Sequence, residues 1–142
     1  ALLDICHYNT YEGQAPIELE NEAAKVDDIY HLSLGESGDT EKLFKDIVYA
    51  INAKVDRRKI ARGFIYAISD YIEKVANANE NRLDENKQIV LSGGTFLNTI
   101  LLERTISNLE IKGYNVYISN QLPPGDGGIC LGQAYLSQNE MV

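Results

Sequence analysis

The sequence predicts an α/β domain with parallel strands near 88–92 and 114–119. Three observations carry that expectation. The last third reads strand, Gly-Gly, helix, strand, Gly-rich loop, helix, which is the alternation of a parallel sheet with crossover helices. Residues 40–78 repeat their apolar positions every three or four residues, as amphipathic helices do. The 142 residues, 44% hydrophobic and 24% charged, suffice for one ordinary domain with a core.

Each element has a local reason. Residues 15–25, "APIELENEAAK", read as a short acidic helix. "IYHLSL", 29–34, alternates and reads as a strand. "GESGD", 35–39, is a turn, and Asp39 or Thr40 can cap the next helix. That helix, 40–53, carries Leu43, Phe44, Ile47, Val48 and Ile51 at helical spacing. Asp56 caps a longer one with the stripe Ile60, Phe64, Ile68, Tyr71, Ile72 and Val75. A polar loop, 77–87, leads to "QIVLS", 88–92, an apolar run bounded by Gly93 and Gly94 that reads as a buried strand. Residues 95–112 read as a helix stopped by Gly113, followed by the strand "YNVYIS", 114–119. A Pro/Gly loop then leads to a last helix over 128–138, in which Cys130 is expected to pack inside.

The bulk numbers narrow the function. The net charge of −8 argues against a nucleic-acid partner, since phosphate binding needs clustered Lys and Arg. No apolar run approaches the ~20 residues that span a bilayer, and no signal peptide is visible. Cys6 and Cys130 alone make neither a disulfide framework nor a zinc site, which points to a reducing cytoplasm. The first residue is not methionine, and the chain reads as a single-domain fragment, 1–142, of a larger protein.

Two glycine loops follow the two adjacent strands, where ligands of a parallel sheet are expected. Gly93 and Gly94 let backbone N–H groups approach an anion at a helix N-terminus, or they make only a tight turn. Asn98, about one turn further in, can donate and accept at an adenine edge or a ribose, or lie on a solvated face. In "PPGDGG", Asp126 is a hard oxygen ligand for a divalent metal or a cap for the helix after it. On the loop alone the cap is the stronger reading, and the pairing of two glycine loops raises the other. Gly13 and Gln14 precede the acidic helix, with Glu12 and Glu18 as candidate polar ligands beside a plain capped helix.

Taken in order, "YEGQAPIELE", "IARGFIYAI", "VLSGGTFLNTILLER" and "QLPPGDGGICLGQA" resemble the C-terminal part of one family. It is the NiFe-hydrogenase maturation carbamoyltransferases, the HypF family, and the resemblance spans nearly the whole chain. It implies the helix-rich second lobe of an actin-like, sugar-kinase-like (ASKHA, ribonuclease H-like) ATPase fold. It implies an enzyme that uses carbamoyl phosphate and ATP, by way of carbamoyl adenylate. The carbamoyl group goes to the C-terminal cysteine of a HypE-like maturation partner for cyanide-ligand synthesis. By resemblance, Gly93 and Gly94 face nucleotide phosphates, Asn98 the adenine, and Gly13, with Gln14 beside it, the ribose. Asp126 matches an aspartate that completes a site for a divalent metal (Fe, Zn or Mg) with two histidines of an upstream motif. That motif is not in this chain, so the chain alone is expected not to transfer a carbamoyl group.

Two departures stand out: Phe64-Ile65 where the family often has Phe-His, and a short "IYHLSLGESGDT" where it has a longer insertion. The rival readings are another O-carbamoyltransferase, a sugar or acetate kinase lobe, and a non-catalytic nucleotide-binding module.

Overall fold

The computed structural model describes residues 2–139. Its elements are α1 (Gln14–Ala23), α2 (Thr40–Asn52), α3 (Arg57–Ala78), β1 (Gln88–Leu91), α4 (Thr99–Ile111), β2 (Asn115–Ile118) and α5 (Ile129–Asn139). Short 3-10 turns occupy Glu80–Arg82, Gly94–Leu97 and Asp126–Gly128. Among the described residues no helix is long and apolar enough to cross a membrane.

α3 is the axis on which the other helices pack, with α1, α2 and α4 all against it. Its buried residues, Ile60, Ala61, Gly63, Ile65, Ala67 and Ser69, spread around the helix and exceed the single stripe that the sequence suggests. Leu43, Ile47 and Ala50 of α2 join Ile60, Ala67 and Leu32 in one cluster. Ala23 of α1 and Leu101 of α4 meet Ala61 and Ile65 in a second. Between α3 and α4 lies a buried polar contact. Thr105 Oγ1 donates to Ser69 Oγ at 3.2 Å, and Asn108 Nδ2 donates to Asp70 Oδ1 at 3.1 Å. On α2, by contrast, Phe44 and Val48 of the expected stripe are largely exposed.

Residues 29–34 form no strand and no other regular element, a correction to the sequence reading. The alternation does mark a half-buried segment, with Leu32 in the core. Among the described residues no strand lies alongside to share a ladder, and the segment crosses α3 instead. Tyr30 N–H donates to the Lys59 carbonyl at 3.0 Å. Gly63 makes the crossing possible, because a Cβ there would overlap the Tyr30 carbonyl oxygen.

β1 and β2 form a two-stranded parallel sheet, with Gln88 opposite Asn115 and Leu91 opposite Ile118. α4 connects them, and Gly113 ends its C-terminal turn at φ +85°. Ile89, Leu91 and Val116 pack against α4 through Leu109 and around Tyr114. The opposite face is open. Val90 is 71% exposed and Tyr117 50%, so β1 is a strand as expected but not a buried one. The helix expected over 95–112 begins only at Thr99, after the 3-10 turn. Cys130 is exposed, not packed inside α5 as its sequence context suggests.

Two caps behave as the sequence indicates. Asp39 accepts from Glu41 N–H, and Asp56 from Arg58 N–H. Asp56 also receives the Arg58 guanidinium, with Nη2 to Oδ2 at 2.6 Å. The Arg58 side chain, then its backbone N–H, hold the Asp56 carboxyl down at about 2, below its ordinary 3.8. A carboxylate with a depressed folded-state pKa stabilises the fold above its unfolded value. That contribution fades as pH falls through the folded value.

Two outcomes follow. Gly63→Ala is expected to destabilise the chain by roughly 2 kcal/mol in urea unfolding. The overlap with backbone costs about 3 kcal/mol and the better helix former returns about 1 kcal/mol. The stability advantage of wild type over Asp56→Asn is expected to be constant above about pH 4 and to vanish towards pH 2, as read by thermal unfolding across pH.

Candidate functional site

The two glycine loops touch, as adjacent parallel strands require of the loops that follow them. Gly93 takes φ +110°, a conformation that side-chain-bearing residues rarely adopt, and its N–H donates to the Pro124 carbonyl at 2.7 Å. A Cβ on Gly125 would stand 3.3 Å from Gly94 Cα, so the backbones meet without side chains between them. Asp126 follows one residue on. It is exposed, and its carboxylate makes no hydrogen bond or ion pair with the described residues. The capping reading of Asp126 therefore has no support in the geometry.

Beside this seam a cleft of about 480 Å³ opens between α1, α3 and the start of α4. Phe64, Ile65 and Ile68 of α3 line it, with Gly13, Pro16 and Ile17 on the α1 side. Gly94, Thr95, Leu97 and Asn98 come from the other side. Three of the residues singled out in the sequence, Gly13, Gly94 and Asn98, thus converge on one cavity from elements far apart in the chain. Gln14 and Gly93 are next to it but not in its lining, and Asp126 stands at the loop seam.

Local chemistry fixes each group. Gly13, at φ +85°, turns the chain into α1. Gln14 holds the preceding loop: its Oε1 accepts from Thr10 N–H at 2.7 Å, and its Nε2 donates to Glu18 at 2.6 Å. Asn98 is the N-cap of α4, with Oδ1 accepting from Leu101 N–H at 2.8 Å. It is neither a solvated face residue nor a free amide. The cap uses its oxygen and leaves both Nδ2 hydrogens for a ligand.

Sequence reasoning missed Glu20 and the apolar floor. Glu20 Oε1 accepts from Thr99 N–H at 2.7 Å and from Thr99 Oγ1 at 2.6 Å. No sequence signal separates Glu20 from the other acids of "IELENE". Phe64 and Ile68 read as core stripe, and only the gap between α1 and α4 leaves them open.

The cleft is lined by two acids, Glu12 and Glu20, and by no Lys or Arg. It suits an uncharged, flat, partly polar group and disfavours a phosphate. Among the described residues no three His, Cys, Asp or Glu side chains gather to hold a metal ion. His7 pairs with Asp4, far in sequence from Asp126. Asp126 is therefore a single exposed carboxylate, one oxygen donor and not a metal site by itself.

In the isolated chain, Asn98→Ala is expected to destabilise by about 1 kcal/mol through loss of the cap. Asn98→Asp should restore it in urea unfolding, since a carboxylate caps equally well.

Comparison with known proteins gives a consistent picture. A family model described as "Carbamoyltransferase, Kae1-like Domain, second subdomain" matches residues 1–133. A probable carbamoyltransferase HypF of Methanocaldococcus jannaschii is 31% identical over 145 residues, covering 98% of this chain and 19% of the relative. The carbamoyltransferase HypF of Synechocystis sp. is 32% identical over 140 residues, covering 93% and 17%. The chain thus spans about a fifth of the length of these curated relatives. Among solved structures, a full-length HypF in a phosphate- and nucleotide-bound form superimposes with a TM-score of 0.81 at 30% identity. It covers 98% of this chain and 19% of that one. A HypF of T. kodakarensis matches in fold with a TM-score of 0.82 at 24% identity, covering 94% and 18%.

Proposed function

The chain belongs to the HypF carbamoyltransferase family, as the second subdomain of its Kae1-like domain, and on that premise we propose that it is the nucleotide-binding lobe of a carbamoyltransferase. In the longer polypeptide it serves transfer of a carbamoyl group, drawn from carbamoyl phosphate with ATP, to the C-terminal cysteine of a hydrogenase maturation partner. The observation that carries this reading is the convergence of Gly13, Gly94 and Asn98 on one cleft beside two touching glycine loops. A relative of matching fold described as phosphate- and nucleotide-bound supports it.

The chemistry follows from the lining. The nucleoside lies in the cleft, its base against Phe64 and Ile68, with the Asn98 Nδ2 group donating to a base acceptor. Gly13 lets a sugar approach the backbone at the start of α1. The phosphates leave the acidic cleft for the seam of Gly93, Gly94 and Gly125. Apolar walls exclude water from one side of the bound nucleotide, which strengthens every polar contact made there. A divalent cation held in part by Asp126 would offset charge on those phosphates. A second lobe must bring the acceptor and the rest of the ligands, because positioning two reactants takes groups on both sides of them.

Asp126→Ala is expected to change the stability of the 142-residue chain by less than about 1 kcal/mol, because its carboxylate caps nothing. In the family-length protein the same change should lose bound metal and most ATP-dependent transfer. Metal analysis and turnover test this together. Wild-type values for both would reduce Asp126 to a turn residue and remove the metal from the reading.

A further inference from the structure

α1 and α4 both pack on α3, yet among the described residues hydrogen bonds join them to each other at one place. There Glu20 Oε1 takes both the N–H and the hydroxyl of Thr99, at 2.7 and 2.6 Å. Thr99 is the first residue of α4 and follows Asn98 directly. The carboxylate therefore sits where unpaired N–H groups and the helix dipole favour negative charge. Asn98 and Glu20 share that first turn, one binding Leu101 N–H and the other Thr99 N–H. Both also line the cleft, from its two opposite walls.

We propose that Glu20 is a positioning residue: the Glu20–Thr99 clasp sets the separation of α1 from the first turn of α4, and with it the cleft width and the place of Asn98. The inference rests on the reading of the cleft as a nucleotide site. A Glu20 that only stabilises α4 would lower stability when removed and leave nucleotide affinity alone. A clasp between the two walls changes how the cleft grips its ligand in both ground and transition states. It then acts on KM for the nucleotide and spares kcat.

The test uses a family-length protein carrying this subdomain. ATP binding and ATP-dependent carbamoyl transfer are measured for wild type, Glu20→Ala, Glu20→Gln, Thr99→Ala and Asp56→Ala. The last removes a cap at the start of α3, outside the cleft, and controls for lost stability. Glu20→Ala should weaken ATP binding and raise KM for ATP on the order of tenfold with kcat unchanged. Glu20→Gln should restore most of the loss, because an amide oxygen still accepts from Thr99. Thr99→Ala, which deletes only the hydroxyl arm, should give a smaller rise in KM, and Asp56→Ala none. An unchanged KM in Glu20→Ala overturns the proposal, as does an equal effect from Asp56→Ala or a failure of Glu20→Gln to rescue. Should Glu20→Ala not fold, an unchanged KM in Thr99→Ala overturns it. If wild type itself fails to bind ATP, the nucleotide reading falls and this inference falls with it. Wild-type binding with an indifferent Glu20 variant defeats this inference alone.

Discussion

The contact of α4 with α3 is the constraint on which the rest of this lobe depends. Ser69, Thr105 and Asn108 are buried there and satisfy one another, so neither helix can slide without stranding polar groups away from water. α4 is also the connection between β1 and β2, and its N-terminus carries Asn98. Fixing α4 on α3 therefore fixes the sheet, both glycine loops and one wall of the cleft at once. α1 reaches the same helix beside α4, through Ala23 against Ala61 and Ile65. Arg62 adds a hydrogen bond to the Ala23 carbonyl at the end of α1. The cleft is what remains between two helices that share a platform and are clasped by one carboxylate.

The charge distribution follows from that arrangement. A chain of net charge −8 is an unpromising receptor for a polyanion. Two groups of acids, however, are set apart by their surroundings. Glu22, Asp28 and Asp56 sit among Lys25, Arg57, Arg58 and Lys59 around the start of α3, and their partners lower all three carboxyls. Glu12 and Glu20 line the cavity, where they favour hydrogen-bond donors over phosphates. The loop seam beside it is built of glycine backbone, which carries no net charge.

Parallel sheets occur almost only with both faces covered. Here one face has α4 and the other leaves Val90 and Tyr117 open, while α5 exposes Ile129, Leu131, Tyr135 and Leu136. These surfaces lie in the last third of the chain, together with Asp126 and its unpaired carboxylate. The chain spans about a fifth of its relatives' length.

What the sequence determined by itself is what depends on neighbours in the chain. Helical spacing located α2 and α3, Asp39 and Asp56 marked their starts, and the strand–glycine–helix alternation gave parallel β1 and β2 with their loops at one edge. The glycine motifs were legible for the same reason, since loops whose backbones meet without side chains between them need glycines at those places. Tertiary structure decided what depends on distant partners. Residues 29–34 have a strand's alternation, but a strand exists only where another offers its ladder, and Gly63 offered a helix surface instead. Val90 and Cys130 are apolar by pattern yet exposed, because burial requires a covering element that periodicity cannot name. Glu20 became a partner of α4 because residues 79 apart in sequence came within hydrogen-bond reach, whereas the Asn98 cap is local, three residues from Leu101. Sequence sets the conformation each segment favours, while the cleft is a relation among three segments and exists only once they have packed.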